Sequence, residues 1–65
     1  MRLQIKDAGA WRNLVAFTTD RETEVLQAAA SLLRALNQPN TVMRVAEGDT
    51  ALFYCRAPDF TWSAA

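Results

Sequence analysis

The middle of the sequence repeats apolar residues with the period of an α-helix, whereas the stretches on both sides alternate with the period of a β-strand. The helical repeat lies within residues 20–37 and comprises Val25, Ala28, Ala29, Leu32, Leu33 and Leu36. A chain with one such segment between strand-like segments buries its apolar residues by packing the helix on a sheet. The sequence therefore predicts a two-layer α+β domain.

Both ends of the predicted helix carry recognisable signals. Thr19 and Glu22 have the spacing of a capping box, and further carboxylates in the first turns suit the helix dipole. Asn37 accepts the left-handed conformation that ends a helix, and Pro39 prevents its continuation. We therefore expect the helix at about residues 20–37.

Four strands are expected around this helix, at residues 1–6, 11–17, 41–47 and 51–57. Short loops and a right-handed crossover place the third strand beside the first. This predicts a ββ-α-ββ domain with a four-stranded, mainly antiparallel sheet in the order 2-1-3-4 and the helix on one face. A β-grasp-like arrangement of the same elements is the alternative.

Turns and the end of the domain follow from glycine and proline. Gly9 suits the turn at residues 7–10, and Gly48 suits the turn at residues 47–50. Pro58 cannot donate to a sheet ladder, so strand pairing is expected to stop there. We therefore assign residues 1–58 to a single domain and residues 59–65 to a C-terminal aromatic tail.

A chain of 65 residues buries a small core, and domains of this size often gain stability from disulfides, metals or self-association. Cys55 is the single cysteine and histidine is absent, which excludes an internal disulfide and the usual zinc ligands. We predict no cofactor and no metal. Self-association is the remaining route, so a homo-oligomer or another protein partner is expected.

Charge and hydropathy exclude other classes. The chain has seven basic and seven acidic residues, so its net charge does not indicate a strongly charged partner. No stretch has the length of a membrane span, and the N-terminus lacks the apolar core of a signal peptide. We expect a cytoplasmic protein without membrane contact, of bacterial or phage-like origin.

Strand alternation places several cations on the sheet face that one helix leaves uncovered. The candidate binding face is Arg2, Lys6, Arg12, Arg44, Tyr54 and Arg56. Leu14 and Leu52 would share this face, and Trp11 has the parity of the helix side. A shift of one residue in any strand would reverse its assignment.

Three hypotheses fit such a face. A solvated surface that keeps the chain soluble is favoured over nucleic-acid binding, because solvent faces are normally charged. Nucleic-acid binding would use arginine for phosphates and Tyr54 for stacking. The third hypothesis is protein contact, including self-association, and it is favoured by leucines among the cations. Trp11, Phe60 and Trp62 are candidate partner anchors, although packing against the chain's own core is the expected role of the tail aromatics.

Catalysis is not predicted. Histidine, the commonest general base, is absent from the sequence. Cys55 is expected to be a small buried residue, with activation by a neighbouring arginine as the alternative. The sequence thus predicts a non-enzymatic binding or regulatory module that self-associates, with nucleic-acid binding as the second hypothesis.

Overall fold

A five-stranded antiparallel sheet with one helix on one face forms the fold, in a computed structural model that describes residues 1–7 and 9–65. The strands are β1 Arg2–Asp7, β2 Ala10–Ala16, β3 Val42–Glu47, β4 Thr50–Arg56 and β5 Thr61–Ala64. The helix α1, Glu22–Leu36, follows one turn of 3-10 helix at Thr19–Arg21. The sheet order is β2-β1-β3-β4-β5, and every neighbouring pair is antiparallel.

The α+β class with one helix on an antiparallel sheet is confirmed, and the first four strands have the predicted order. The predicted count of four strands is wrong. Residues that were expected to form a tail supply β5, which pairs with β4 through Cys55 and Trp62 among others. Pro58 interrupts pairing only at the turn, and the chain then returns along β4.

Helix α1 ends as its sequence predicts and begins differently. Asn37 takes the left-handed conformation, with φ 51° and ψ 42°, and its N–H donates to the Leu33 carbonyl. The predicted capping box is wrong, because neither helix start has a side-chain cap. The Thr18 hydroxyl instead donates to the Asp20 carboxylate.

The core lies between α1 and the middle of the sheet. Its fully buried side chains come from one residue of the helix and from β3 and β4: Leu33, Met43, Val45 and Cys55. Leu3, Ala29 and Phe60 complete the buried apolar cluster. The face of β1, β3 and β4 that carries these residues is therefore the helix side.

Both predicted glycine turns use positive φ, 84° at Gly9 and 60° at Gly48. The first turn includes Ala8, which lies outside the described residues. Both hairpins are thus reversed at residues that tolerate the left-handed region.

Candidate binding face

The sheet surface opposite α1 is called the open face below. Leu3, Val45 and Cys55 point towards the helix. Because successive side chains of a strand alternate between faces, their neighbours in sequence point the other way. Gln4, Arg44 and Tyr54 therefore lie on the open face, where they are aligned across three adjacent strands.

A β-bulge reverses the expected orientation of the first half of β2. The β1–β2 register passes from Leu3↔Val15 directly to Gln4↔Asn13, so Leu14 is an extra residue. Upstream of the bulge, Trp11 pairs with Lys6 and belongs to the open face, whereas Arg12 pairs with Ile5 and belongs to the helix side. The predicted positions of Trp11 and Arg12 were both wrong for this reason.

A second bulge corrects the position of Leu52. The β3–β4 register passes from Val45↔Phe53 to Ala46↔Ala51, and Leu52 packs against the core rather than on the open face. Leu14, the extra residue of the first bulge, is 48% exposed. Leucine therefore does not interrupt the cations at the centre of the open face.

Two aromatic rings converge at this centre. The rings of Trp11 and Tyr54 have centroids 6.3 Å apart and planes inclined by 51°. They belong to β2 and β4, which are separated by three interstrand gaps, or about 14 Å of sheet. Both rings therefore lean inwards over β1 and β3.

Cations surround these rings. The Arg44 guanidinium carbon lies 4.0 Å from the Trp11 ring centroid, and Lys6 Nζ lies 5.9 Å from the same ring. The guanidinium of Arg56 lies 5.3 Å from the Tyr54 ring. Such cation–π contacts fix the guanidinium planes and leave their outer N–H groups available for a ligand.

Hydrogen bonds hold the base of the cluster. Arg44 Nε donates to Gln4 Oε1 over 2.6 Å, and Gln4 Nε2 donates to Asn13 Oδ1 over 2.7 Å. Gln4 is buried although it lies on the uncovered side of the sheet. The seven residues of this ordered arrangement are called the open-face cluster: Gln4, Lys6, Trp11, Asn13, Arg44, Tyr54 and Arg56.

Sequence reasoning placed Lys6, Arg44, Tyr54 and Arg56 on this face, and the structure brings them together with Trp11. It missed the contribution of Asn13 and the supporting role of Gln4. The adjacent apolar pair Leu14-Val15 interrupts the alternation of the strand, and it is the signal from which the bulge could have been inferred.

Arg2 lies apart from the cluster, at the far end of β1. Its Nη2 donates to the Gly48 carbonyl over 2.9 Å, in the turn between β3 and β4. Arg2 thus extends the cationic surface along the sheet without contacting the aromatic rings.

Charge is segregated over the molecule. Four of the seven cations, Arg2, Lys6, Arg44 and Arg56, occupy open-face positions. Among the side chains that the structure describes, the open face holds no carboxylate. The acidic side chains that the structure describes lie at the start of α1 and in or beside the turns after β3 and β4: Asp20, Glu22, Glu24, Glu47, Asp49 and Asp59.

The other two candidate anchors belong to the chain's own packing. Phe60 is 8% exposed within the core. Trp62 is half-buried, and its Nε1 donates to the Leu26 carbonyl of α1 over 2.7 Å. Both side chains also line a shallow groove between α1 and β5. The aromatic residues of the C-terminal segment therefore attach β5 to the helix.

Cys55 is fully buried in the core. Burial raises the pKa of its thiol, and the nearby positive charge of Arg34 offsets this increase only in part. A buried thiol with a raised pKa is a weak nucleophile, so the environment of Cys55 suits packing rather than chemistry.

Across residues 1–7 and 9–65, no group of three or more potential ligand side chains is placed to hold a metal ion. Within the same residues, α1 is the longest helix, and it lacks the length and apolar character needed to cross a bilayer. The chain matches no family model, curated protein or solved structure.

Proposed function

We propose that the protein is a non-enzymatic module that binds single-stranded nucleic acid on its open face. The observation that carries the proposal is the open-face cluster itself, an aromatic pair framed by cations with no described carboxylate among them. This arrangement combines the two elements that sequence-tolerant binding of single strands requires, stacking platforms and a positive surface.

The geometry favours a single strand over a duplex. Trp11 and Tyr54 offer ring surfaces near the middle of a sheet, and only unpaired bases expose the faces that stack on such rings. Arg44 covers one side of the Trp11 ring. A base is expected to stack on the part of the half-buried ring that remains exposed, while Lys6 and Arg56 contact phosphates on either flank.

Electrostatics explains how a chain with no net charge binds a polyanion. The open face presents four cations to the ligand, whereas the described acidic residues lie at the helix start and around the turns. Release of counterions should make the affinity fall with salt, with a slope of about −0.7 per phosphate contact on single strands. Phosphate contacts by Lys6 and Arg56 alone predict a slope of about −1.4 in a plot of log K against log salt, and contacts by all four cations predict about −3.

The test is fluorescence anisotropy with short labelled single strands at low salt. Trp11→Ala should weaken binding by about 1–3 kcal/mol, the usual value of one stacked base. Arg56→Ala should weaken it and make the salt slope shallower by about 0.7. Arg12→Ala is the matched control, because Arg12 is also an exposed arginine but lies on the helix side.

Two results would contradict the proposal. A wild-type protein that gives no anisotropy change at low salt does not bind single strands. Heparin or an acidic peptide that competes as well as the oligonucleotide, with Trp11→Ala unchanged, would assign the face to an acidic polymer without base stacking.

A further inference from the structure

Helix α1 is apolar on more than the face that it buries. Ala29 and Leu33 are buried against the sheet, whereas Leu32 is 49% exposed and Leu36 is 45% exposed. Ala28 and Ala35 are exposed on the same side of the helix. An uncharged stripe two turns long is therefore open to solvent.

This stripe lies on the flank of α1 that is turned away from β5. The opposite flank faces β5, because Leu26 accepts the hydrogen bond of Trp62. Since β2 and β5 are the two edges of the sheet, the exposed flank is turned towards β2. Val15 of β2 is paired with the buried Leu3, so it points to the helix side, and it is 50% exposed.

The helix stripe and the strand residue together form the apolar flank: Val15, Ala28, Leu32, Ala35 and Leu36. Val15, Leu32 and Leu36 are large apolar side chains that are half exposed, and a cluster of exposed apolar residues often marks a site of protein contact. Small alanines between leucines also suit close packing of a second helix, since its ridges fit the grooves that they leave.

We infer that the partner is a second copy of this chain, with its α1 antiparallel to the first across a two-fold axis. The charges at the ends of the helix support this occupant. The N-terminal end carries Asp20, Glu22 and Glu24 with one cation, Arg21, which is paired with Glu24, so this end is acidic on balance. An antiparallel pair places this acidic end beside the C-terminal end of the partner helix, and the helix dipoles are then favourably opposed.

Arg12 supplies the positive charge that this acidic end would meet in the dimer. It is paired with Ile5, which is paired with Met43 near the start of β3, so it lies at the level of the C-terminal end of α1. In the antiparallel dimer this level faces the acidic N-terminal end of the partner helix. An isologous interface requires a surface complementary to itself, and the apolar flank with its opposed ends meets that requirement.

A dimer of standard size would use a large part of the surface of this chain. A standard interface buries about 800 Å² on each partner. That is a fifth of the 4279 Å² surface of this chain. The apolar flank belongs to the helix side, so both open faces remain accessible in the dimer.

The experiment is sedimentation velocity at tens of micromolar protein, with a mass of twice 7.2 kDa expected for the wild type. Leu32→Glu should sediment as a monomer with an unchanged helical circular dichroism spectrum. Gln27→Glu is the matched control and should remain dimeric, because Gln27 is exposed on the β5 flank of the same helix.

A cross-link provides the second measurement. Leu32 is midway between Ala28 and Leu36 and lies next to its own copy across the two-fold axis. Leu32→Cys should therefore give a covalent dimer with a short thiol cross-linker, and Gln27→Cys should not. The buried Cys55 does not interfere. This cross-link tests the proposed dimer even if Leu32→Glu fails to fold.

A wild type that sediments at the mass of one chain at all these concentrations overturns the inference. A dimer that survives Leu32→Glu and gives no cross-link at position 32 overturns it as well, since another surface would then pair the chains. Oligonucleotide binding is measured separately, so failure of the dimer and failure of the proposed function are distinguishable.

Discussion

At the residue scale, Trp11 connects the fold of the open face to its proposed ligand. Its ring reaches across β1 towards Tyr54 and receives the guanidinium of Arg44 at 4.0 Å. Gln4 supports Arg44 from below through a hydrogen bond of 2.6 Å. The side chains that would meet a base are therefore held in place before binding, which lowers the entropic cost of association.

Cys55 gives a prediction about pH. Burial raises the pKa of its thiol above the ordinary value, so the native protein keeps a proton that the unfolded chain releases. The stability that the protonated thiol contributes is fully present below the thiol pKa of the unfolded chain, about 8.5. It is lost as the pH rises through the raised pKa of the folded protein. Urea unfolding from pH 7 to pH 10 should show wild type losing its advantage over Cys55→Ala. An advantage that stays constant over this range would contradict the assignment.

Residue orientations were predictable from the sequence wherever a strand kept strict alternation. Leu3, Met43 and Cys55 face the core as their parity predicts. Trp11 and Arg12 do not follow their parity, because one extra residue at Leu14 reverses every side chain before it. Alternation alone cannot locate such a bulge, since its position depends on how the partner strand is paired.

At the element scale, the C-terminal end of α1 provides a stability test. Asn37 has φ 51°, a region in which glycine has no steric cost and a β-branched residue has a large one. Asn37→Gly should keep the free energy of unfolding within a few tenths of a kcal/mol or raise it, and Asn37→Val should lower it by about 1–2 kcal/mol. Chemical denaturation measures both. Equal stabilities for the two variants would count against the left-handed cap.

The element missing from the sequence-based prediction is β5. It has four residues, and its pairing with β4 begins only after the turn at Pro58. Its stability depends on long-range contacts, above all the core position of Phe60 and the bond from Trp62 to the Leu26 carbonyl. Local periodicity does not indicate such long-range contacts. The helix α1 and the first four strands could be predicted because their patterns are longer.

At the scale of the whole molecule, the sheet order and the charge distribution determine which surfaces are available. The order of the first four strands follows from short connections and a right-handed crossover, and it places β1 and β3 between β2 and β4. Composition gave no sign of the segregated charge, because the total is zero. Segregation appears only when the strands align their alternate residues on a common face.

The two proposed surfaces lie on opposite layers of the molecule, and this separation gives a prediction about stoichiometry. The open face is formed by the sheet, and the apolar flank is formed by α1 together with Val15. A short strand should therefore bind wild type and Leu32→Glu with the same affinity per chain, in complexes of two strands per dimer and one strand per monomer.

Titration by anisotropy gives the affinities, and sedimentation of the saturated complexes gives the masses. Trp11→Ala should show the reverse behaviour, a dimer of unchanged mass that binds the strand weakly, because Trp11 is on the opposite layer from Leu32. If Leu32→Glu abolished binding of a short strand while remaining folded, the open face of one chain would be insufficient. The ligand site would then have to include both copies.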